Sequence, residues 1–345
     1  MHIAVVNLTR GDFSGGYRKY LQVLVPLLQC DPRVSRVDVH VAKTWPNREY
    51  RALQKTLVAS RPDVVFVPTA QTIDCGLPVV SMIRNMEPLL VPFDGNPWSE
   101  GVRNLARSLA ARRAVERSER VIAVSRHVCD FLVSRWRIDP GKIGVVYHGV
   151  DRVAASRRPE AAAEVEAGSF LFTAGSIRPA RGLDDLVDAL SQAPYTLLVA
   201  GEPDPSTRHY AAKIRRRAER LGSGARTVWL GQLDAAEMSW CFANCRAFVM
   251  TSRAEACPNT VLEAMAHGCL SVSTDRAPMP EFFGDAAIYY RAGDGRDLAA
   301  RLAALGTLSG RDVTALRERA FARARQFTWE ATASQTVTQL ALAIA

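Results

Sequence analysis

The 345-residue chain is 48% hydrophobic, 23% charged and 8% aromatic, which excludes disorder, a collagen-like repeat and a disulfide scaffold and gives length enough for two domains with separate cores. Its net charge of +9 favours anionic partners without choosing among them. The seven cysteines are scattered and read as buried free thiols, since even Cys241 and Cys245 lack paired metal-ligand spacing.

The start, MHIAVVNLTRGD, meets Arg10 and Asp12 before a signal-peptide core forms, and no apolar run approaches membrane-helix length, so a cytoplasmic protein is expected. The run from His2 to Leu8 reads as a strand. A glycine-bearing loop at Ser14, Gly15 and Gly16 follows, then a helical period from Tyr17 to Leu28. The alternation continues with strands at Val37 to Val41, Asp63 to Pro68, Val79 to Ile83, Val121 to Val124 and Ile143 to Tyr147. Helices are predicted at Tyr50 to Ser60, Ser99 to Ser118 and Arg126 to Arg137. Strands and helices alternating at this spacing imply a parallel sheet covered on both faces.

A polar, alanine-rich stretch from Asp151 to Gly168 has no strand signal and reads as a linker, after which the pattern restarts. Strands are predicted at Phe170 to Ala174, Thr196 to Ala200, Thr227 to Leu230, Ala247 to Met250, Leu270 to Thr274 and Ala287 to Tyr290. Helices fall at Leu183 to Leu190, Tyr210 to Leu221 and Ala235 to Ala243. The tail from Arg311 is mostly helical, with a break near Phe327 and Thr328. The expected organisation is a doubly wound, Rossmann-like domain over 1–152, a second over 153–327, and a last helix at about 328–345 that crosses back to the first. With two such domains facing across a cleft, a ligand is expected beyond the carboxyl ends of the strands.

The stretch Glu255-Ala256-Cys257-Pro258-Asn259-Thr260-Val261-Leu262-Glu263 carries the strongest chemical signal. Its second half fits a capping box, with Thr260 as N-cap and Glu263 at the third helical position. That structural role leaves Glu255 unexplained. A carboxylate just past a strand end, in a Cys-Pro-Asn loop leading into a helix, suits a site where backbone N–H groups hold a diphosphate and carboxylates accept bonds from sugar hydroxyls. The loop from Gly175 to Gly182 sits at another carboxyl strand end. Its Arg178 and Arg181 read either as a clamp on a diphosphate leaving group or as solvated turn arginines. Gly15 and Gly16 allow close approach of backbone to an anion but do not form a dinucleotide fingerprint. His148, before Gly149, reads equally as a cleft residue or as part of a turn. No metal-ligand cluster, nucleophile elbow or Walker loop is present in the sequence.

Taken together these segments resemble glycosyltransferase family 4, the retaining enzymes of the GT-B fold. The resemblance rests on Gly15-Gly16, Val121 to Ser125, Val145 to Asp151, the Gly175 to Gly182 loop, Glu255 to Glu263 followed by Ala264 to Gly268, and Pro280-Glu281 with Gly284 to Ala287. It implies a nucleotide-diphosphate-sugar donor held mainly by the second domain, with Glu263 on the ribose and Glu255 facing the donor sugar. Cys257, Pro258, Asn259 and Thr260 lie along the diphosphate and sugar, and no metal or other cofactor takes part. Two departures stand out: Ser176 occupies a position where relatives carry arginine, and Arg181 one where lysine is usual. Where the family often has a His-Asp pair this chain has Arg84-Asn85-Met86-Glu87, so Asn85 is a cleft candidate and no first-domain catalytic histidine is assigned.

The expected activity is retaining transfer of a sugar to a hydroxyl of a glycan, a lipid-linked intermediate or a small glycoconjugate. A sugar-nucleotide epimerase of the same fold is the rival among enzymes. A nucleic-acid-binding protein is the rival outside them, and it lacks stacking aromatics or a docking motif. Between Glu100 and Arg137, nine arginines face only four carboxylates. This stretch, Arg103 to Arg137, reads either as a solvated basic surface or as an attachment to anionic lipid on the inner face of a membrane.

Overall fold

The computed structural model describes residues 1–9, 15–42, 48–151 and 154–345. The chain forms two compact units: residues 1–89, 102–149 and 327–345, and residues 90–101 with 150–326.

In the first part of the chain the order is β1 (His2–Asn7), α1 (Gly15–Cys30), β2 (Arg36–Val41), α2 (Arg48–Ser60), β3 (Val64–Val67) and β4 (Val79–Ile83). It continues through α3 (Glu87–Leu90), α4 (Trp98–Arg117), β5 (Arg120–Ala123), α5 (Arg126–Trp136) and β6 (Ile143–Val145). The six strands pair in parallel in the order β2-β1-β3-β4-β5-β6. The central strands β3 and β4 are buried at every residue, as expected of a sheet covered on both faces. The edge strand β2 instead exposes Arg36, Val39 and Val41, and its charged residues discourage pairing with another chain.

The second part runs β7 (Phe170–Ala174), α6 (Leu183–Leu190), β8 (Thr196–Ala200), α7 (Arg208–Arg220), β9 (Thr227–Gly231), α8 (Ala235–Asn244) and β10 (Ala247–Met250). After these come α9 (Asn259–Ala266), β11 (Ser271–Thr274), α10 (Met279–Phe283), β12 (Ile288–Tyr290), α11 (Gly295–Ala304), α12 (Gly310–Ala324) and α13 (Trp329–Ala341). Its parallel sheet has the order β12-β11-β10-β7-β8-β9. Leu171, Leu197, Val199, Val249 and Val272 of the sheet pack with Leu186, Leu190, Ile214 and Leu302 of the helices in one buried cluster.

The helix α13 packs on α1, β3 and β5 of the first unit. Thr328 caps it by accepting the Ala331 N–H at 3.1 Å, and the Thr332 hydroxyl donates to the Tyr147 carbonyl at 2.8 Å. The Arg120 guanidinium grips Gln339 Oε1 at 2.8 and 3.0 Å. The backbone of Trp329 lies where a side chain on Gly149 would stand, so this glycine is fixed by helix packing.

Three short elements, α3, α10 and α11, were not among the expected ones. They run over four, five and ten residues.

Candidate donor site

The second sheet reverses its direction of growth between β7 and β10. From β7 the chain moves outward to β8 and β9, and from β10 it moves the other way to β11 and β12. The loops leaving the carboxyl ends of these two neighbours diverge, which opens a crevice where ligands bind in parallel sheets of this kind. One loop is the Gly175 to Gly182 segment and the other runs from Thr251 to Pro258.

Gly175 leaves β7 with φ of +132°, a conformation that disfavours any side chain, and the Arg181 guanidinium lies 2.7 Å from where a Cβ would be. A single 3-10 turn over Pro179–Arg181 then folds the loop back. Arg181 Nη1 donates to Glu255 Oε1 at 2.6 Å and to Ser252 Oγ at 3.3 Å. The Thr251 hydroxyl donates to the Arg181 carbonyl at 2.7 Å, and the Arg253 N–H to the Ala180 carbonyl at 2.7 Å. The loops are thus joined through both backbone and side chains. In the ion pair Arg181 is 17% and Glu255 10% exposed, so the two charges meet where solvent screens them weakly. Gly175, Arg181, Thr251 and Ser252 line a single pocket.

The expectation that Glu255 has no structural role is therefore corrected: it anchors Arg181 across the crevice. The capping box expected at Thr260 is corrected as well. Helix α9 begins at Asn259 with Pro258 as its N-cap, so Thr260 already lies inside the first turn and Pro258 has no side-chain acceptor to cap with; the Pro258 carbonyl accepts the Val261 and Leu262 N–H groups at 3.0 and 3.2 Å. A capping box does form elsewhere, at α8, where Asp234 and Glu237 bond each other's backbone N–H at 2.9 and 3.0 Å.

Behind this pair stands Arg253, which sequence reasoning missed although it lies two residues before Glu255 at the same strand end. Its guanidinium bonds Asp184 at 2.5 Å and reaches Asp185 and Asp94 at 3.4 Å each. Burial opposes its charge, but the carboxylates of Asp184, Asp185 and Asp94 outweigh it and hold its pKa above the usual value. Asp94 belongs to the 90–101 segment, which the sequence analysis placed in the first domain and which packs within the second unit. There Val91 meets Ala180 and Ala254, and Gly95 faces Pro179 at a distance a Cβ would reduce to 2.9 Å. The segment thus braces the turn that carries Arg181.

Burial raises the pKa of Asp185, against the pull of Arg253, so the native state holds this proton more tightly than the unfolded chain. Stability from this group is present below its usual pKa of 3.8 and lost as pH rises through the raised value. Asp185→Asn is expected to gain stability relative to the parent as pH rises from 3.5 to 7.5, which urea denaturation at those two pH values measures.

The other expected residues are placed as follows. The Ser176 hydroxyl donates to Asp204 at 3.4 Å, at the end of β8. Arg178 is half-buried and opens the 3-10 turn. Cys257 and Pro258 are buried, while Asn259 and Thr260 are half-buried at the start of α9. Thr260 Oγ1 is enclosed there without a hydrogen-bond partner. Glu263 lies half-buried one turn further on, its carbonyl bonded to His267 Nδ1 at 2.8 Å.

In the first unit Gly15 and Gly16 open α1, and the loop residues 10–14 before them lie outside the described residues. His148 is 3% exposed with its ring 4.9 Å from that of Tyr20, and the Arg84 guanidinium lies 4.3 Å from the same Tyr20 ring. Asn85 is exposed and accepts the Glu87 N–H at 3.0 Å at the start of α3. Among the described residues no group of three or more His, Cys, Asp or Glu side chains is arranged to hold a metal ion, and no helix is long and apolar enough to cross a membrane.

A model of Glycosyltransferase Family 4 matches residues 20–153, and one of Glycosyl transferases group 1 matches residues 168–307. D-inositol 3-phosphate glycosyltransferase of Mycobacterium leprae (strain Br4923) is 26% identical over 237 residues, 66% of this chain and 55% of the relative. That of Mycobacteroides abscessus is 25% identical over 250 residues, 69% of this chain and 55% of the relative. The chain thus spans about half the length of the curated relatives it matches. Among solved structures, sucrose-phosphate synthase of Thermosynechococcus elongatus superposes with a TM-score of 0.79 at 16% identity, over 98% of both chains. HepE of Anabaena in complex with UDP-glucose gives 0.77 at 19% identity, over 98% of this chain and 99% of that one. With both family models matched and two doubly wound parallel sheets of the GT-B class, the chain belongs to glycosyltransferase family 4, the group 1 glycosyl transferases.

Proposed function

We propose that this chain transfers a sugar from a nucleotide-diphosphate sugar to a hydroxyl group, with retention of anomeric configuration and without a metal ion. The observation that carries the reading is the Arg181–Glu255 pair at the point where the second sheet reverses. A guanidinium has five N–H donors in a rigid fork, enough to hold Glu255 and phosphate oxygens together. As the bond between the anomeric carbon and the diphosphate breaks and the acceptor oxygen bonds to that carbon, the departing diphosphate gains negative charge and takes up the proton that the acceptor hydroxyl releases. Arg181, Arg178 and the start of α9 meet that charge in place of a cation. Glu255 accepts hydrogen bonds from donor sugar hydroxyls and Glu263 from the ribose.

The HepE structures hold UDP or UDP-glucose, which makes uridine the first base to test. The mycobacterial relatives are named for an inositol phosphate, so a phosphorylated polyol belongs among the acceptors alongside glycans and lipid-linked intermediates. A thermal-shift screen of UDP, GDP, dTDP and CDP, followed by transfer assays with the matching sugars, tests the reading. One diphosphate is expected to raise the unfolding temperature, since a ligand of the native state stabilises it by mass action. The reading is overturned if none binds and no donor is turned over. Consumption of donor into an isomeric sugar nucleotide with no acceptor present would point to the epimerase instead.

A further inference from the structure

A second cavity of the same unit lies between the ends of β10 and β11 and the turn after β12, on the far side of the β10 loop from the donor crevice. Thr251, Ser252 and Thr274 lie along it and are 3, 1 and 1% exposed. Its volume is about 260 Å³, where a cavity of about 150 Å³ already takes up a benzene ring. Three bonds shape it. Thr274 Oγ1 accepts the Arg276 N–H at 3.3 Å and turns the chain at the end of β11. Asp275 Oδ1 accepts the Ala292 N–H at 2.9 Å and ties this turn to the one after β12. Arg276 Nη1 donates to the Arg253 carbonyl at 3.4 Å.

The lining selects the ligand. Two guanidinium groups, Arg253 and Arg276, stand against two carboxylates, Asp94 and Asp185, so the wall is balanced in charge and favours neither a phosphate nor a metal ion. Among the described residues Arg276 uses one of its five N–H donors, and Asp94 meets only Arg253, at 3.4 Å. Spare donors and acceptors around one cavity suit a ligand with many hydroxyls, each of which both donates and accepts. We propose that this cavity is a second sugar-binding site, which holds one neutral sugar residue of a glycan beside the donor crevice. Arg276 donates to its oxygens and Asp94 accepts from its hydroxyls. That the polyol is a sugar rests on the transfer reading, whereas its neutrality and one-ring size rest on the cavity alone.

Saturation-transfer NMR of the purified chain with D-glucose, D-galactose, D-mannose, N-acetyl-D-glucosamine and myo-inositol, with and without saturating UDP, tests this. At least one is expected to bind, and equally well when UDP is present. Arg276→Ala removes an exposed side chain and Ala292→Phe adds a ring to the lining. Each is expected to weaken sugar binding by about tenfold or more, with UDP affinity unchanged, whereas Glu255→Gln is expected to leave sugar binding as in the parent. The proposal is overturned if UDP displaces the sugar, if both cavity variants bind it as the parent does, or if Glu255→Gln abolishes binding, which places the sugar in the donor crevice. Displacement by inorganic phosphate overturns it in favour of an anion site. Binding of UDP without any of the sugars overturns this site and leaves the transfer reading standing, and binding of a sugar without any nucleoside diphosphate does the reverse.

Discussion

Arg181→Ala is expected to lower kcat/KM for sugar transfer by about 10²- to 10³-fold, the usual loss when one donor aimed at developing charge is removed. The same change leaves the Glu255 carboxylate mostly buried and without its 2.6 Å partner, so a stability loss of about 2 kcal/mol is expected alongside. Steady-state kinetics and urea denaturation on one preparation separate the two. Arg181→Lys restores the charge as a single point and not as a fork, and is expected to recover all but about tenfold of the activity. If alanine and lysine lose stability equally but transfer is unchanged, Arg181 is a structural anchor and the site lies elsewhere.

Glu255→Gln is expected to reduce kcat/KM by about 100-fold, because a neutral amide is a weaker acceptor for sugar hydroxyls and no longer fixes Arg181 by charge. Its amide oxygen still accepts from Nη1, so the stability loss is expected near 1 kcal/mol and smaller than that of Arg181→Ala. Since the two side chains touch, their effects are not expected to add. The double variant is expected to be only slightly worse than Arg181→Ala, and full additivity in kcat/KM would show that the residues act independently. Affinity for the nucleoside diphosphate alone provides a further separation. Arg181→Ala is expected to weaken it, and Glu255→Gln, whose amide oxygen still accepts from Nη1, is expected to weaken it less.

Both sheets were legible in the sequence because parallel strands buried on two faces are written as short runs of Val, Ile, Leu and Phe, and the helices between them keep a separate period. Phe170–Ala174 and Val79–Ile83 fall where those runs do. The Glu255 stretch was legible for a similar reason, since a loop at a carboxyl strand end is where a parallel sheet can offer a site. The start of α9 was misread because Thr260 and Glu263 have the spacing of a capping box, while in the folded chain the helix already begins at Asn259, which puts Thr260 past the cap position.

The alternation of elements, the restart near residue 169 and the arginine- and carboxylate-bearing loops at strand ends could be read from the chain alone. These depend on hydrophobic period and side-chain chemistry, both local properties. Three-dimensional packing brought Arg181 and Glu255, 74 positions apart, into one hydrogen bond. It alone placed Asp94 beside Arg253 and turned Leu105 and Leu109 outward on α4. The reason is that strand order is not written in strand sequence. The reversal between β7 and β10 follows from how crossovers pack over the whole sheet, and that reversal brings two distant loops together.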